Sequence, residues 1–137
     1  MTKTDPQGPL EEMQNLQFTL HIETKNSQMI SLKAAQPWEY DEQLDKFIEL
    51  TPEYLNQPGF VGNTLNLQSW KGTTQQTYCN DKGFFTMAEV IDKIETFERF
   101  DRVDPKMEWF GGIDCHHIYF EGLHLIGDDA YCIYWGS

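Results

Sequence analysis

Apolar residues recur at helical spacing between positions 84 and 102, and local end signals support the pattern. The stripe consists of Met87, Val90, Ile91, Ile94, Phe97 and Phe100. Thr86 precedes it with Glu89 three residues later, which is the arrangement of an N-terminal capping box. Arg99 and Arg102 fall in the last turn, where positive charge suits the helix dipole. The segment predicts a helix whose apolar face covers the core.

Acidic and basic residues four positions apart add to this prediction. The pairs are Glu89–Lys93, Glu95–Arg99 and Glu98–Arg102. Side chains one turn apart are neighbours on a helix surface, and each such pair contributes about 0.2–0.5 kcal/mol to helix stability. The three pairs therefore favour a helix over a strand in this segment.

A different period, the alternation of apolar and polar residues, begins at Leu16. The positions that share one side of the predicted strand are Leu16, Phe18, Leu20 and Ile22. Turn residues at 25–27 separate this run from a second apolar run at 29–32, so residues 16–33 predict a β-hairpin. Further strands are predicted at 63–70 and 73–79, and a last hairpin on either side of residues 127–129.

Between these strands, residues 37–49 carry a second apolar pattern at helical spacing. Its members are Tyr40, Leu44, Phe47 and Ile48, with Pro37 at a first helical position. The opposite face of the predicted helix holds the densest group of acids in the chain: Glu39, Asp41, Glu42, Asp45 and Glu49. Two interpretations stay open, a solvated helix face or a docking surface for a basic partner.

The predicted elements follow one another in the order ββα-ββα-ββ. Short links between consecutive strands favour antiparallel pairing, so the predicted fold class is α+β, with a largely antiparallel sheet and two main helices packed on one face. Residues 1–14 contain Pro and Gly without periodicity and are expected to be a flexible leader. Residues 15–137 are expected to form a single α+β domain.

Charge narrows the classes of partner. The formal net charge is −12, which disfavours nucleic acids and anionic membrane surfaces because phosphate binding needs clustered Lys and Arg. No run is long and apolar enough to span a membrane. The three cysteines form no C-x-x-C pair and match no zinc module, which favours a reducing, cytoplasmic setting.

The residues best suited to chemistry cluster in the segment that follows the predicted central helix. They are Asp114, Cys115, His116, His117 and Glu121. Successive side chains of a strand point to opposite faces, so only Asp114 with His116, or Cys115 with His117, can cooperate. The first pair suggests a metal site and the second a thiolate nucleophile, with Glu121 on the same face as Cys115 and His117. Each needs further ligands or partners from elsewhere, so no metal or cofactor is expected.

The register of the last hairpin decides which of these residues face solvent. A tight or a four-residue turn at 127–130 pairs even positions of the first strand with odd positions of the second, whereas a three-residue loop reverses the relation. With the tight turn, one face collects His116, Ile118, Phe120, His124, Ile126, Tyr131, Ile133 and Trp135. That face is the more apolar one and is expected to be the core, which leaves Cys115, His117 and Glu121 on the open face.

A second candidate surface is the loop that contains Trp109 and Phe110, followed by two glycines. Either the rings fold onto the core as a plug, or they are exposed for recognition. Together with the acidic segment at 37–49, this loop is the predicted interaction surface.

These observations favour a small, acidic, soluble protein that acts by binding a macromolecular partner, expected to be a basic protein. By size and charge it is comparable to inhibitors, immunity-type proteins or adaptors, an analogy that involves no specific residue. The alternative is a small enzyme or metal-binding protein that uses the Asp114-Cys115-His116-His117 segment. A third possibility is a small ligand held within the aromatic core.

Overall fold

The structure, a computed structural model, describes residues 8–26, 28–70, 74–102 and 117–136. Its helices in these ranges are α1 (Glu11–Gln14), α2 (Pro52–Leu55) and α3 (Met87–Asp101). Its strands there are β1 (Gly8–Pro9), β2 (Leu20–Lys25), β3 (Gln28–Ala34), β4 (Trp38–Asp41), β5 (Lys46–Glu49), β6 (Pro58–Val61), β7 (Thr64–Gln68), β8 (Gln75–Cys79), β9 (Phe84–Thr86), β10 (Tyr119–Ile126) and β11 (Ala130–Gly136). Of the helices in the described ranges, none combines the length and hydrophobicity of a membrane span.

The strands pair mainly in the antiparallel sense. The largest sheet has the order β10-β11-β7-β8, a second has the order β1-β6-β9, and β2-β3 and β4-β5 are two-stranded. Only β11 and β7 are parallel among the described pairs. The predicted α+β class with largely antiparallel pairing is therefore confirmed, but the ββα-ββα-ββ order and the two packed main helices are not. α3 is the long helix of the described chain, because residues 37–49 form a hairpin and α1 and α2 have four residues each.

Helix α3 has the ends and the buried face that its sequence predicts. Thr86 accepts a hydrogen bond from the Glu89 backbone N–H, and the Glu89 carboxylate accepts one from the Thr86 N–H, so the capping box is complete. The residues of the stripe that are buried are Met87, Val90, Ile91, Ile94 and Phe97. Phe100 is 58% exposed, so the buried stripe ends one turn earlier than the pattern suggested.

The same helix also closes the open edge of strand β3. The backbone N–H of Ala34 donates to the Glu95 carboxylate (3.1 Å), and Arg99 donates to the Leu32 carbonyl (3.3 Å). Glu95 and Arg99 are themselves an ion pair. Two side chains of α3 thus stand in for a neighbouring strand and satisfy backbone groups that an edge would otherwise present to solvent.

Residues 8–14 belong to the packed part of the molecule, although the sequence places them in a leader. β1 pairs with β6, and the Met13 side chain of α1 is fully buried. The Gln14 side chain donates to the Leu123 carbonyl (2.7 Å) and accepts from the Leu123 N–H (2.8 Å). Its amide thus makes the pair of hydrogen bonds that a neighbouring strand would make with β10. Residues 1–7 lie outside the described ranges.

The last hairpin has a three-residue loop, the alternative that reverses the predicted register. Ile126 pairs with Ala130, and Leu123 pairs with Ile133, so the predicted even-with-odd relation is wrong near the turn. A bulge between Phe120 and Leu123 then restores it, and Phe120 pairs with Trp135. Gly122 in the bulge has a φ of 114°, a conformation that favours glycine.

The bulge explains which side chains of this hairpin reach the core. Phe120, Ile133 and Trp135 pack into or against the core as predicted. Leu123 joins them, whereas His124, which was predicted to face the core, is exposed on the opposite side. The reason is that one extra residue in β10 reverses the alternation of side chains beyond it.

Candidate functional site

The acidic segment at 37–49 is a β-hairpin, and the prediction of a helix there is wrong. β4 and β5 pair antiparallel from Trp38↔Glu49 to Asp41↔Lys46. The base of the hairpin is joined to the body of the protein, because the Trp38 N–H donates to the Gln17 carbonyl (3.0 Å). The Leu50 N–H donates to the Pro37 carbonyl (2.9 Å) and closes the hairpin itself. The bond to Gln17 has no counterpart in the local sequence pattern.

The turn of the hairpin is built by two aspartates. The Asp41 carboxylate accepts hydrogen bonds from the backbone N–H groups of Gln43 (2.9 Å) and Leu44 (3.1 Å). Asp45 has a φ of 51°, the left-handed conformation that Asp adopts more readily than most residues. Both residues were assigned to an acidic helix face, yet their role in the fold is to reverse the chain.

The tip of this hairpin exposes two large apolar side chains. Leu44 is 57% exposed and Phe47 is 65% exposed, and every residue from Glu42 to Phe47 is exposed. Phe47 makes an edge-to-face contact with Trp38 at 4.5 Å between ring centroids. The tip is therefore a largely exposed apolar surface.

The predicted acidic residues surround this apolar tip instead of lining one face. Their positions follow from the register: Glu49 shares the side of Phe47, Glu39 and Asp41 lie on the other side, and Glu42 and Asp45 lie in the turn. All are exposed except Asp41, which is half-buried, and Lys46 is the single base of the hairpin. We call this group of residues, Glu39–Glu49, the acidic hairpin.

Acids from a second element approach the base of the acidic hairpin. Burial, followed by the negative charges of Glu12 and Glu39, raises the pKa of the Tyr54 hydroxyl. Glu12 belongs to α1 and Glu39 to β4, so the two elements bring like charges to one place. This electrostatic environment favours cations over anions near the hairpin.

The residues predicted for chemistry are only partly within the described ranges. Asp114, Cys115, His116, Trp109 and Phe110 lie outside them, so their roles stay predictions. His117 is half-buried, and its backbone carbonyl accepts a hydrogen bond from Arg102. Glu121 is exposed at the β10 bulge. Within the described ranges, no three His, Cys, Asp or Glu side chains are grouped to hold a metal ion.

A buried polar network lies next to His117 and was not predicted from the sequence. Glu98 and Arg102 are each 3% exposed and pair at 2.9 Å, and the Trp135 ring N–H donates to Glu98 at 2.6 Å. The Arg102 guanidinium also lies 5.1 Å from the Trp135 ring centroid. The pair was predicted, but as a surface pair. A signal was present, since Glu98 and Arg102 continue the line of Ile94 at four-residue steps.

Burial of this network changes the acidity of Glu98. The pKa of its carboxyl is raised from 4.5 to about 7, chiefly by removal from water and to a smaller extent by the nearby charge of Asp101. The positive charge of Arg102 and the hydrogen bond from Trp135 oppose that rise. The network holds the end of α3 against β11 and the chain at His117, which is a structural role.

An exposed ring stack on the four-stranded sheet was also missed. Tyr134 stacks on His124 with ring centroids 3.4 Å apart and on Trp70 at 5.0 Å. Trp70 is 66% exposed. His124 pairs with Cys132, while the neighbouring Leu123 and Ile133 are in the core, so the stack lies on the face turned away from the core. The three-residue loop and the bulge, not any local motif, bring these rings together.

The third possibility, a small ligand held within the aromatic core, stays a prediction. A shallow, open cavity of about 230 Å³ lies between α3 and the link from β3 to β4. Its lining residues are Ala34, Ala35, Gln36, Pro37, Leu55, Ala88, Ile91, Asp92 and Glu95. It is smaller than the usual ligand pocket of about 300–1,000 Å³.

Comparisons with known proteins add no further assignment to these surfaces. No protein-family model, no curated protein and no solved structure matches the chain. The acidic hairpin, with its exposed apolar tip, is therefore identified as the candidate functional site by its own geometry.

Proposed function

We propose that the protein acts by binding a basic protein partner through the acidic hairpin, as an inhibitor or an adaptor does. The observation that carries the proposal is the exposed pair Leu44 and Phe47 at the tip of a hairpin ringed by acids. Exposed apolar surface with a polar rim is typical of interaction sites, and Phe is among the residues enriched in interface cores.

The two parts of this surface would contribute differently. Leu44 and Phe47 would supply the apolar contact that holds a complex together, so their loss should mainly speed dissociation. The rim acids would attract a positively charged partner, so their reversal should mainly slow association and reduce its salt dependence. A partner of matching chemistry presents lysines or arginines around an apolar pocket.

A synthetic peptide that alternates lysine and leucine provides a defined probe of this chemistry. We expect its addition to ¹⁵N-labelled protein to shift amide resonances of residues 39–49 in two-dimensional NMR spectra. Phe47→Ser should weaken binding, because the apolar contact is lost. Glu42→Lys/Asp45→Lys/Glu49→Lys should weaken it as well, and the effect should shrink as salt rises.

A variant with the same change in net charge at another place separates local from global attraction. Asp81, Asp128 and Asp129 are exposed and lie in other loops. Their reversal to lysine should weaken peptide binding less than the hairpin variant does at equal ionic strength. Equal loss in both triple variants, or resonance shifts spread over the whole surface, would contradict a site on the acidic hairpin.

A further inference from the structure

The described strand edges are not protected equally. Glu95 and Arg99 of α3 bond to the backbone of β3, as described above. The edge of β10 is covered by the Gln14 amide and by residues 18–20, since the Phe120 N–H donates to the Phe18 carbonyl and the Leu20 N–H to the Ile118 carbonyl. The outer edge of β8 has no such cover, because within the described ranges β8 pairs with β7 alone.

The register shows which backbone groups of β8 point outward. Asn80 donates to the Asn63 carbonyl and Ser69 to the Thr74 carbonyl, both at 2.9 Å, on either side of the β7–β8 ladder. Even-numbered residues of β8 therefore bond to β7, and the alternate residues turn their N–H and C=O away from it. The outward residues are Gln75, Thr77 and Cys79, and all three are exposed.

The residues of this edge leave it open to pairing with another strand. β8 contains no Pro and no charged residue, and its pairing with β7 shows no bulge. Proline, charged side chains and bulges are the features by which proteins usually block edge-to-edge pairing. The outer sheet face beside it is also uncharged: its residues on β7, β8 and β11 are Thr64, Asn66, Gln68, Gln75, Thr77, Cys79, Ala130, Cys132 and Tyr134.

We infer that the β8 edge pairs with the β8 edge of a second copy of this chain, antiparallel, about a two-fold axis through Thr77. In this register Thr77 pairs with Thr77, and Gln75 pairs with Cys79 of the other copy. All three outward residues of each strand are then paired. Moving the axis by one residue leaves one of them without a partner on the opposing β8, so this register uses the edge most fully.

The edge is self-complementary, which favours a second copy at this place, because all three outward residues of β8 find partners on an identical strand. Each chain carries a net charge of −12, so two copies approach most easily where neither presents charge. A basic partner, by contrast, would find no acid on β8 to bind. The resulting sheet would run continuously through both copies, and the small contact predicts a weak, concentration-dependent dimer.

Two substitutions at Thr77 test the edge. Both Thr77→Pro and Thr77→Val delete the hydroxyl that donates to Asn66 at 3.2 Å, but only proline removes the outward N–H. In analytical ultracentrifugation over a hundredfold concentration range, wild type and Thr77→Val should dimerise. Thr77→Pro should raise the dimer dissociation constant by about tenfold or more, because both central hydrogen bonds are lost.

A cross-link tests the register and does not depend on the proline variant folding. Gln75→Cys places a thiol opposite the native Cys79 of the other copy, at a strand-pair spacing of about 5.5 Å that a disulfide can bridge. Mild oxidation should give a reducible dimer. Gln76→Cys, whose side chain points to the other face, should give little of it.

Three outcomes would overturn the inference. These are a wild-type monomer at every concentration, a dimer that Thr77→Pro leaves intact, and equal cross-linking of the two cysteine variants. None of them bears on the acidic hairpin, which is probed by peptide binding.

Discussion

Helix α3 and the acidic hairpin start from similar sequence patterns and reach different structures. Both have apolar residues at helical spacing with acids between them. Around α3 the spacing continues for four turns and has a capping box at its start. Around the hairpin it lasts little more than two turns, and no Ser, Thr, Asp or Asn precedes Pro37 as a cap.

The difference shows that a short apolar period is ambiguous unless the ends of the segment agree with it. Trp38, Phe47 and Ile48 are β-branched or aromatic, and Asp41 and Asp45 suit a turn. These local preferences match the hairpin, and the hydrogen bond from the Trp38 N–H to the Gln17 carbonyl joins it to the body of the protein. The same acids that would line a helix face then surround an exposed apolar tip.

The largest expected contrast between the two regions is in core stability. Ile94 of α3 is fully buried, so Ile94→Ala should lower the free energy of unfolding by about 2–5 kcal/mol through lost contacts and a cavity. Phe47→Ala in the hairpin removes an exposed ring and should cost less than about 1 kcal/mol. Urea unfolding of both variants measures the difference. Similar costs would mean that the hairpin tip is packed or that the α3 face is not.

The second contrast is between buried and exposed acids. Since the pKa of Glu98 is raised to about 7, its folded form binds a proton more tightly than its unfolded form. Its contribution to stability is full below pH 4.5 and is lost as the pH rises through about 7, a change of about 3 kcal/mol. The difference between the unfolding free energies of wild type and Glu98→Gln should therefore change by this amount across that pH interval.

The exposed Glu53 supplies the control for this measurement. Glu53→Gln makes the same chemical change at an exposed position outside the buried network, so its difference from wild type shows the effect of losing a carboxyl without burial. A constant gap between wild type and Glu98→Gln across the same pH interval would show that the Glu98 carboxyl is not perturbed by burial.

A smaller contrast concerns the side chains that end each element. Thr86→Ala removes the α3 cap and should lower the free energy of unfolding by about 1 kcal/mol. Asp41→Ala removes the two turn bonds of the hairpin and should leave global unfolding nearly unchanged. Its effect should be local opening, seen as faster hydrogen exchange of hairpin amides. Faster exchange throughout the protein would indicate that the hairpin is part of the global folding unit.

The smallest expected effect tests the alternative chemistry of the chain. Cys79 is exposed, and burial raises the pKa of the Cys132 thiol, so a thiol reagent should modify Cys79 well before Cys132. We expect slow modification of Cys115, with no change in His117→Ala. Fast labelling of Cys115 that depends on His117, or one zinc ion per chain after purification without chelator, would support the enzyme or metal-binding alternative over the binding proposal.

Local sequence determined the elements that carry their own end signals. The capping box and stripe of α3, the alternation that forms β2, and the turn residues between β10 and β11 are all visible in the chain, because each depends on residues a few positions apart. The acidic residues of the candidate site were found for the same reason, as a local cluster of charge. Their arrangement around Leu44 and Phe47 was not.

Only the tertiary structure decided the features that depend on distant partners. The hairpin at 37–49 bonds to Gln17, and the burial of Glu98 and Arg102 involves Trp135. The β8 edge, which no other described strand covers, is recognisable only beside edges that Gln14, Glu95 and Arg99 cover. A bulge at Gly122 reverses the alternation of side chains without a change in local pattern. Backbone groups bond to whichever partner the fold brings near, and that choice is made over the whole chain.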